Sequence, residues 1–292
     1  MSAQAHGAPR PSQPSAPRPS QPGAARRWRP TPLLWATFAL HVAALVWIVL
    51  QPAHWRWVLA ALIANHIVLT AVGLWPRSRG LGPNWVRLPA AAAPGHIAIT
   101  IDDGPDPVVT PQVLDLLDQF DARATFFCIG HAAQRHPELC REIVRRGHAV
   151  ENHSQHHYWH FAALSPRRMA REIEAGAQNL AALTGQQPLF FRPTAGLRSP
   201  FLEPILARNG LHLACWTRRG FDTRCGDADV VTRRLTRRFA AGDILLLHDG
   251  HAARTATGQP VILAVLPRVL EAAATAGLTP ITLRFALELS AP

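Results

Sequence analysis

The chain has 292 residues and a formal net charge of +11, from 30 basic and 19 acidic side chains. All the basic side chains are arginine, since the sequence contains no lysine. This length suits one globular domain of about 200 residues plus additional segments. A strongly basic chain often binds nucleic acid, but no helix-turn-helix, zinc-finger or RNA-binding signature is present. We therefore expect no nucleic-acid partner, and an anionic membrane surface or a phosphate-bearing substrate suits the charge better.

Residues 1–30 are rich in proline, serine, alanine and glutamine, with near-repeats at 10–14 and 18–22. A segment of this composition buries too little apolar surface to fold. We expect a disordered, proline-rich tail.

Two apolar stretches follow, at Pro32–Leu50 and at 57–75, and neither contains Asp, Glu, Lys or Arg. Each is about 19 residues long, enough to cross a hydrocarbon core of about 30 Å. They predict a hairpin of two transmembrane helices within residues 31–76. A buried soluble hairpin and a cleaved signal peptide are the alternatives. The signal peptide is disfavoured because two stretches follow a long tail without a clear small-residue cleavage site.

Arginines flank both ends of this hairpin, at positions 26, 27 and 29 before it and 77, 79 and 87 after it. The short link between the stretches carries only His54 and Arg56. By the positive-inside tendency, both ends lie in the cytoplasm. We expect a multi-pass inner-membrane protein with the domain that follows the hairpin on the cytoplasmic face. Asn65 and His66 should face the partner helix, because lone polar groups are costly against lipid.

After a linker at 77–95, strand and helix patterns alternate along residues 96–288. Strands are predicted at 96–101, 124–129, 148–151, 189–191, 211–216, 243–248 and 280–283. Helices are predicted at 111–120, 137–146, 165–183, 200–209, 229–240 and 261–276. This alternation implies a parallel sheet, closed or nearly closed, with helices outside it.

Two adjacent carboxylates, Asp102 and Asp103, follow the first of these strands and precede a Gly-Pro break. The end of a strand places both acids at the mouth of the sheet, where one can hold a metal while the other stays free as a base. His153 and His157 have the i, i+4 spacing that puts both imidazoles on one helical face. Two imidazoles and one carboxylate form a usual catalytic zinc set with an open position for water. Alone, such a histidine pair is often only a surface feature, and His156 is a competing neighbour.

Five short motifs occur in order along this region. They are TIDDGP at 100–105, HSQHH at 153–157, RPTAG at 192–196, DT at 222–223 and LLH at 246–248. In order and spacing they resemble the polysaccharide deacetylases of carbohydrate esterase family 4, the NodB-homology domain. The resemblance implies a distorted (β/α)7 barrel with its site at the carboxyl ends of the strands.

The resemblance also implies roles for individual residues. Asp103, His153 and His157 correspond to the metal ligands. Asp102 corresponds to the general base, which accepts a proton from metal-bound water as that water attacks the amide carbonyl. Arg192 resembles the arginine that pairs with this base, and an arginine–carboxylate pair is bidentate.

The remaining roles concern the leaving group and the oxyanion. His248 resembles the general acid that protonates the departing amine, and Asp222 resembles the acid that pairs with it. Asp249, next to His248, is the alternative partner. In the family, the position of Ala195 contributes a backbone N–H to the oxyanion.

Two motifs depart from the family pattern. The third has Thr194-Ala195 in place of Pro-Tyr, and the fourth has Thr223 in place of Trp. These changes remove two apolar walls, so the chemistry is expected to be intact and the substrate pocket reshaped. Arg218 and Arg219 stand near Asp222, where they either bind a phosphate or belong to a solvated loop.

Together these features predict a membrane-anchored, metal-dependent N-deacylase, most simply an N-deacetylase, of an amino sugar in a lipid-linked or envelope glycan. Zinc is the expected metal from the ligand types, and Co²⁺, Ni²⁺ or Mn²⁺ suit the same set. One alternative is a periplasm-facing deacetylase of polysaccharide or peptidoglycan. Another is a non-catalytic, membrane-bound glycan-binding protein, whose mark would be a missing ligand or base; neither is missing from the sequence.

Overall fold

The computed structural model describes residues 25–291. Its strands are β1 His96–Asp102, β2 Ala124–Cys128, β3 Ala149–Asn152, β4 Phe190–Phe191, β5 His212–Leu213, β6 Arg218–Arg219, β7 Ile244–His248 and β8 Thr279–Pro280. Its helices are α1 Pro32–Leu50, α2 Trp55–Leu74, α3 Val109–Gln119, α4 Gly130–Arg135, α5 Pro137–Arg145, α6 Pro166–Thr184, α7 Leu202–Arg208, α8 Ala228–Thr236, α9 Val261–Thr275 and α10 Leu283–Glu288. Most of the tail expected at 1–30 lies outside the described residues.

The strands form one parallel sheet in the order β5-β4-β3-β2-β1-β7-β6, and β8 pairs with the first residues of β1. Helices connect most successive strands and lie outside this curled sheet, whereas β5 leads to β6 without a helix. The prediction of a distorted (β/α)7 barrel is therefore confirmed. All strands run the same way, so their carboxyl ends meet at one rim.

Alternation along β1 determines which side chains enter the barrel. Ile97, Ile99 and Ile101 are fully buried in the main core, with the apolar faces of α3 and α9. Because successive strand residues point to opposite faces, Thr100 and Asp102 point the other way. Asp102 thus reaches the inside of the barrel at the rim.

The last strand prediction was wrong in part. The strand expected at 280–283 is the two-residue β8, and the chain then enters α10. The side chain of Thr282 accepts a hydrogen bond from the N–H of Phe285 and caps this helix. A threonine before an apolar run is a helix N-cap signal, and here it overrides the strand propensity of the run.

Helices α1 and α2 form an apolar hairpin. The candidate spans Pro32–Leu50 and Pro52–Leu74 have mean hydropathies of 2.2 and 2.0, with only 6% of each most apolar window buried. The hydroxyl of Thr37 donates to Oδ1 of Asn65 over 3.0 Å, and the rings of His41 and His66 lie 5.3 Å apart. The prediction that Asn65 and His66 face the partner helix is confirmed. Length and composition alone make both helices able to cross a membrane.

Both ends of this hairpin are attached to the barrel. The N–H of Arg26, before α1, donates to the carbonyl of Ala207 over 2.7 Å. The N–H of Arg198 donates to the carbonyl of Gly73, in the last turn of α2, over 3.0 Å. Residues 77–95, expected as a linker, pack on the domain: Leu81 and Leu88 are buried, and Trp85 joins its backbone to Leu213.

Candidate active site

The first motif ends β1 and turns the chain sharply. Asp103 adopts a left-handed backbone conformation with φ of 77°. The added Cβ of any side chain at position 104 would lie 2.4 Å from a carboxylate oxygen of Asp249, so a larger residue there would have to displace that carboxylate. The close approach of these two loops places Asp102 and Asp103 at the rim.

A loop brings the two predicted histidine ligands together, so the expected helical face was wrong. β3 ends at Asn152, and Ser154 and His157 both have positive φ, at 66° and 54°. The Asn152 side chain accepts the N–H of Ser154, and the Ser154 hydroxyl accepts the N–H of His157. This tight turn brings the rings of His153 and His157 to 4.6 Å. Side-chain caps of this kind compete locally with a helix.

Asp103, His153 and His157 converge, their ligand atoms all within 4.8 Å of one another. Nδ1 of His153 lies 2.7 Å from the carbonyl oxygen of Arg192, so Nδ1 carries the proton and Nε2 the lone pair. That Nε2 is 3.3 Å from Oδ1 of Asp103, and Nε2 of His157 is 3.2 Å from the same oxygen.

These three groups fit a divalent cation. Oδ1 of Asp103 is buried and has no hydrogen-bond partner among residues 25–291. A cation held between this oxygen and the two Nε2 atoms would satisfy all three ligand atoms at once. The donor set, two imidazole nitrogens and one carboxylate oxygen, matches that of catalytic zinc sites.

The electrostatics of Asp103 and His157 agree with ligation, whereas the carboxylates beside His153 favour its protonated form, which a bound cation would have to displace. Burial opposes ionisation of Asp103, but contacts with His153 and His251 hold the pKa of its carboxyl well below the usual range. Burial, together with the charge of His153, lowers the pKa of His157 to about 4. Burial lowers the pKa of His153, but Asp102 and Asp103 outweigh it and raise that pKa. An ionised carboxylate and a neutral imidazole are the forms that bind metal.

Asp102 is held by a buried arginine. Nη1 of Arg192 donates to Oδ1 of Asp102 over 2.6 Å and to the hydroxyl of Thr100 over 2.8 Å. The other guanidinium N–H groups donate to the carbonyls of Ala214 and Cys215, so the expected bidentate pairing is replaced by a single contact. Oδ2 of Asp102 receives no N–H from Arg192 and lies 3.7 Å from Nε2 of His153.

His248 lies beside Asp102, because the two residues pair in register between β1 and β7. Asp222 accepts Nδ1 of His248 over 2.9 Å and the backbone N–H of His248 over 2.7 Å. Burial lowers the pKa of His248, but the Asp222 carboxylate outweighs it and raises that pKa to about 9. Asp249, the alternative partner, instead accepts the hydroxyl of Thr110.

The third motif forms a short 3-10 turn, Thr194–Gly196, in which Ala195 has φ of 55°. The N–H of Gly196 donates to the carbonyl of Pro193 over 2.8 Å, whereas the N–H of Ala195 has no acceptor in the described part of the chain. Ala195 is exposed. Its role as an oxyanion donor stays a prediction.

The two arginines of β6 diverge. Nε of Arg218 donates to Oδ2 of Asp243 over 2.5 Å, and its terminal nitrogens reach the carbonyls of Arg237 and Arg238. The structure thus commits Arg218 to the opposite side from the site, and we do not retain it as a substrate-binding residue. Arg219 points the other way, with its guanidinium 5.3 Å from the ring of Trp216 and 5.0 Å from that of Phe221.

Two histidines change the picture given by the sequence. His251, which sequence reasoning missed, has Nδ1 3.2 Å from Oδ2 of Asp103. Its place three residues after His248 was the available signal. His156, the competing neighbour, is instead bound to Glu172 through both Nδ1 and its backbone N–H.

Known proteins resemble this chain in sequence. A family model described as polysaccharide deacetylase matches residues 90–214. A peptidoglycan-N-acetylglucosamine deacetylase of Bacillus cereus is 35% identical over 163 residues, which cover 55% of this chain and 76% of that protein. A chitooligosaccharide deacetylase of Sinorhizobium fredii is 34% identical over 155 residues, covering 53% of this chain and 72% of that protein.

A solved structure agrees with these matches. A family 4 carbohydrate esterase from Streptomyces lividans, in complex with acetate, superposes with a TM-score of 0.58 at 32% identity. The superposition covers 64% of this chain and 91% of that one. The residues that the family model matches, 90–214, contain the strands β1 to β5 and leave the apolar hairpin outside.

Proposed function

Because the chain belongs to the polysaccharide deacetylase family, and is therefore a hydrolase of carbon–nitrogen bonds, we propose that it removes the N-acetyl group of an amino sugar at the membrane. One observation carries this proposal: the Asp103, His153 and His157 cluster lies directly beside Asp102 and His248. A base, an acid and a cation site within one rim are what amide hydrolysis by water requires.

Asp103, His153 and His157 would hold a divalent cation, for which Zn²⁺ is the first choice and Co²⁺, Ni²⁺ or Mn²⁺ are alternatives. When bound, such a cation supplies Lewis acidity, which makes water a stronger acid and polarises a carbonyl oxygen. Asp102 accepts the proton of the attacking water at Oδ2, the oxygen that Arg192 leaves free. Arg192 fixes the orientation of that carboxylate from full burial.

His248 completes the reaction. Its Nδ1 is occupied by Asp222, so Nε2 is the atom that gives its proton to the departing nitrogen. The amide C–N bond breaks, the acyl carbon keeps the oxygen of water, and the products are acetate and a free amine. The N–H of Ala195 stabilises the negative charge on the acyl oxygen.

We place the enzyme in the inner membrane through the hairpin within residues 31–76, with a catalytic domain at 96–288. Most side chains of α1 and α2 are apolar and exposed, and a soluble protein would cover such a surface. The arginines that flank the hairpin favour a cytoplasmic domain. The substrate is then an amino sugar in a lipid-linked precursor, and an envelope glycan is the alternative for a periplasmic domain.

The test uses the full chain in neutral detergent, loaded with Zn²⁺, and measures acetate release from N-acetylglucosamine oligomers. Asp102→Asn and His248→Ala should each lower kcat at least about 100-fold, as expected for general base and acid groups. Asp115→Asn, on an exposed part of α3, is the matched control and should keep full activity.

Metal content provides the second readout. About one Zn²⁺ per chain should be present, and an Asp103→Asn, His153→Ala double variant should lose it. Acetate release that survives in both catalytic variants, or equal metal content in the double variant, would overturn the assignment.

A further inference from the structure

Arg219 is a half-buried cation without a protein partner. Its side chain makes no hydrogen bond or ion pair with any residue at 25–291, and its Nε is buried without an acceptor. The other arginine of β6, Arg218, binds Asp243, and Arg234 donates to the carbonyl of Gly220. A buried N–H without an acceptor is costly, so an external acceptor is expected.

Two aromatic rings hold this guanidinium in place. Its central carbon lies 5.3 Å from the ring centroid of Trp216 and 5.0 Å from that of Phe221. Contacts of this kind orient the planar fork without using its N–H groups. A planar fork with free N–H groups suits an oxyanion with paired oxygens, such as phosphate.

Arg219 belongs to the catalytic rim. Phe221, which it stacks on, directly precedes Asp222, the partner of His248. Burial lowers the pKa of Arg219, and the charges of the Asp222 and Asp102 carboxylates oppose this effect by raising that pKa. A ligand of Arg219 would therefore lie within reach of a sugar at the site.

The same rim touches the end of the apolar hairpin. A Cβ added to Gly196 would lie 2.6 Å from the Trp216 ring and 2.7 Å from Cβ of Pro76. Pro76 follows α2 by two residues. The turn that carries Ala195 is thus packed between Trp216, which supports Arg219, and the point where the chain would leave the membrane.

We propose that Arg219 binds a phosphate that links the amino sugar to a membrane lipid. This inference rests on the proposed deacetylase function and specifies its substrate. The lipid lies in the leaflet next to Pro76, the phosphate meets the guanidinium, and the N-acetyl group reaches Asp102 and His248. A bulk lipid headgroup is the other source of such a phosphate, and the experiment distinguishes the two sources.

The probe is N-acetylglucosamine 1-phosphate, compared with a neutral N-acetylglucosamine trimer, by calorimetric titration of the Zn²⁺-loaded full chain in neutral detergent. Arg219→Gln should weaken binding of the phosphorylated sugar at least about tenfold, the scale of one charge-assisted contact. Arg219→Lys keeps the charge but loses the planar fork, so its affinity for the phosphorylated sugar should lie between those of the native protein and Arg219→Gln. Arg224→Gln, an exposed neighbour, is the charge-matched control and should bind like the native protein.

Binding of the neutral trimer should be the same in all four proteins. An equal loss for both ligands in Arg219→Gln, or no loss for either, would overturn the proposal. If neither ligand loses affinity, then either the cation site binds the phosphate, or Arg219 binds a bulk lipid headgroup. The second explanation remains because the neutral detergent contains no anionic lipid. Equal Zn²⁺ content in every variant excludes misfolding as the cause.

Acetate release in the same preparations separates the two proposals. Native protein that binds the phosphorylated sugar through Arg219 but releases no acetate would refute the deacetylase and keep the phosphate site. Native protein should also act at least about tenfold faster on a short polyprenyl-phosphate N-acetylglucosamine than on the soluble phosphate at equal concentration. Equal rates would refute the lipid link.

Discussion

The carbonyl oxygen of Arg192 accepts Nδ1 of His153 over 2.7 Å, while the guanidinium of the same arginine holds Asp102. One fully buried residue therefore orients both a proposed metal ligand and the proposed base. The backbone contact fixes the tautomer of His153, and the side-chain contact fixes the carboxylate. The proposed metal site and the proposed base are thus both positioned by Arg192.

Arg192→Met should destabilise the fold by about 3–5 kcal/mol, because it leaves the buried carboxylate of Asp102 without its cation. The measurement is the free energy of unfolding of the full chain in detergent. Adding Asp102→Asn should recover part of the loss, since the uncompensated charge is then removed. A double variant as unstable as the single variant would show that packing of Arg192 on Phe127, not the ion pair, carries the effect.

Asp222→Asn should move the alkaline limb of kcat/KM to lower pH. The Asp222 carboxylate raises the pKa of His248 to about 9, and the proposed acid must be protonated to act. Activity therefore falls as pH rises through this pKa. Without the carboxylate, the limb moves toward the ordinary histidine pKa of about 6.5. A bound cation lowers the pKa of the alkaline limb in both proteins, so the difference between the two pKa values is the quantity to compare.

Asp249→Asn is the control for that experiment. Burial raises the pKa of Asp249 to about 7, so a neutral amide of the same shape should be tolerated there. The variant should leave the alkaline limb in place. A limb that moved with Asp249 and not with Asp222 would reverse the pairing of His248.

His148 should make the protein sensitive to acid. Burial, together with the charges of Arg123 and Arg146, lowers the pKa of His148 to about 3. Below about pH 6.5 His148 binds a proton in the unfolded chain but not in the folded chain. Stability should therefore fall by roughly 1 kcal/mol per pH unit from there toward pH 3. His148→Gln should show a shallower slope of unfolding free energy against pH; an unchanged slope would contradict the argument.

Gly196→Ala should reduce both stability and activity. The added methyl group meets Trp216 and Pro76, and φ is 74°. We expect a loss of about 1–3 kcal/mol from overpacking beyond the cost of left-handed strain. Gly258→Ala is the matched control, because its φ of 82° gives the same strain with no atom within 4 Å. Equal effects in thermal unfolding would show that the contact is loose; kcat should fall only in Gly196→Ala.

Much of this architecture was readable from the sequence because its signals are local. The apolar run of β1 and the Gly-Pro break after Asp103 determine where the first carboxylates lie. Alternation of strands and helices predicts the parallel barrel. The histidine loop was misread because i, i+4 spacing does not reveal the positive φ of Ser154 and His157.

Other features depend on contacts distant in sequence. Arg192 can be recognised from its motif. The way its guanidinium hydrogen bonds are shared between Asp102, Thr100 and two carbonyls depends on the packing inside the barrel. Arg218 and Arg219 are adjacent residues of the same type, and only the register of β6 shows that their side chains point to opposite faces of the sheet. His251 approaches Asp103 because its loop closes over Asp103.

The attachment of both hairpin ends sets how the enzyme meets its substrate. With α1 and α2 in a bilayer, the turn at Gly196 sits against Pro76 and cannot swing outward on a tether. For the proposed lipid-linked substrate, encounter then occurs by lateral diffusion within the plane of the membrane. Turnover should follow the number of substrate molecules per unit of membrane area, and diluting the substrate with inert lipid should slow the enzyme even when its bulk concentration stays constant.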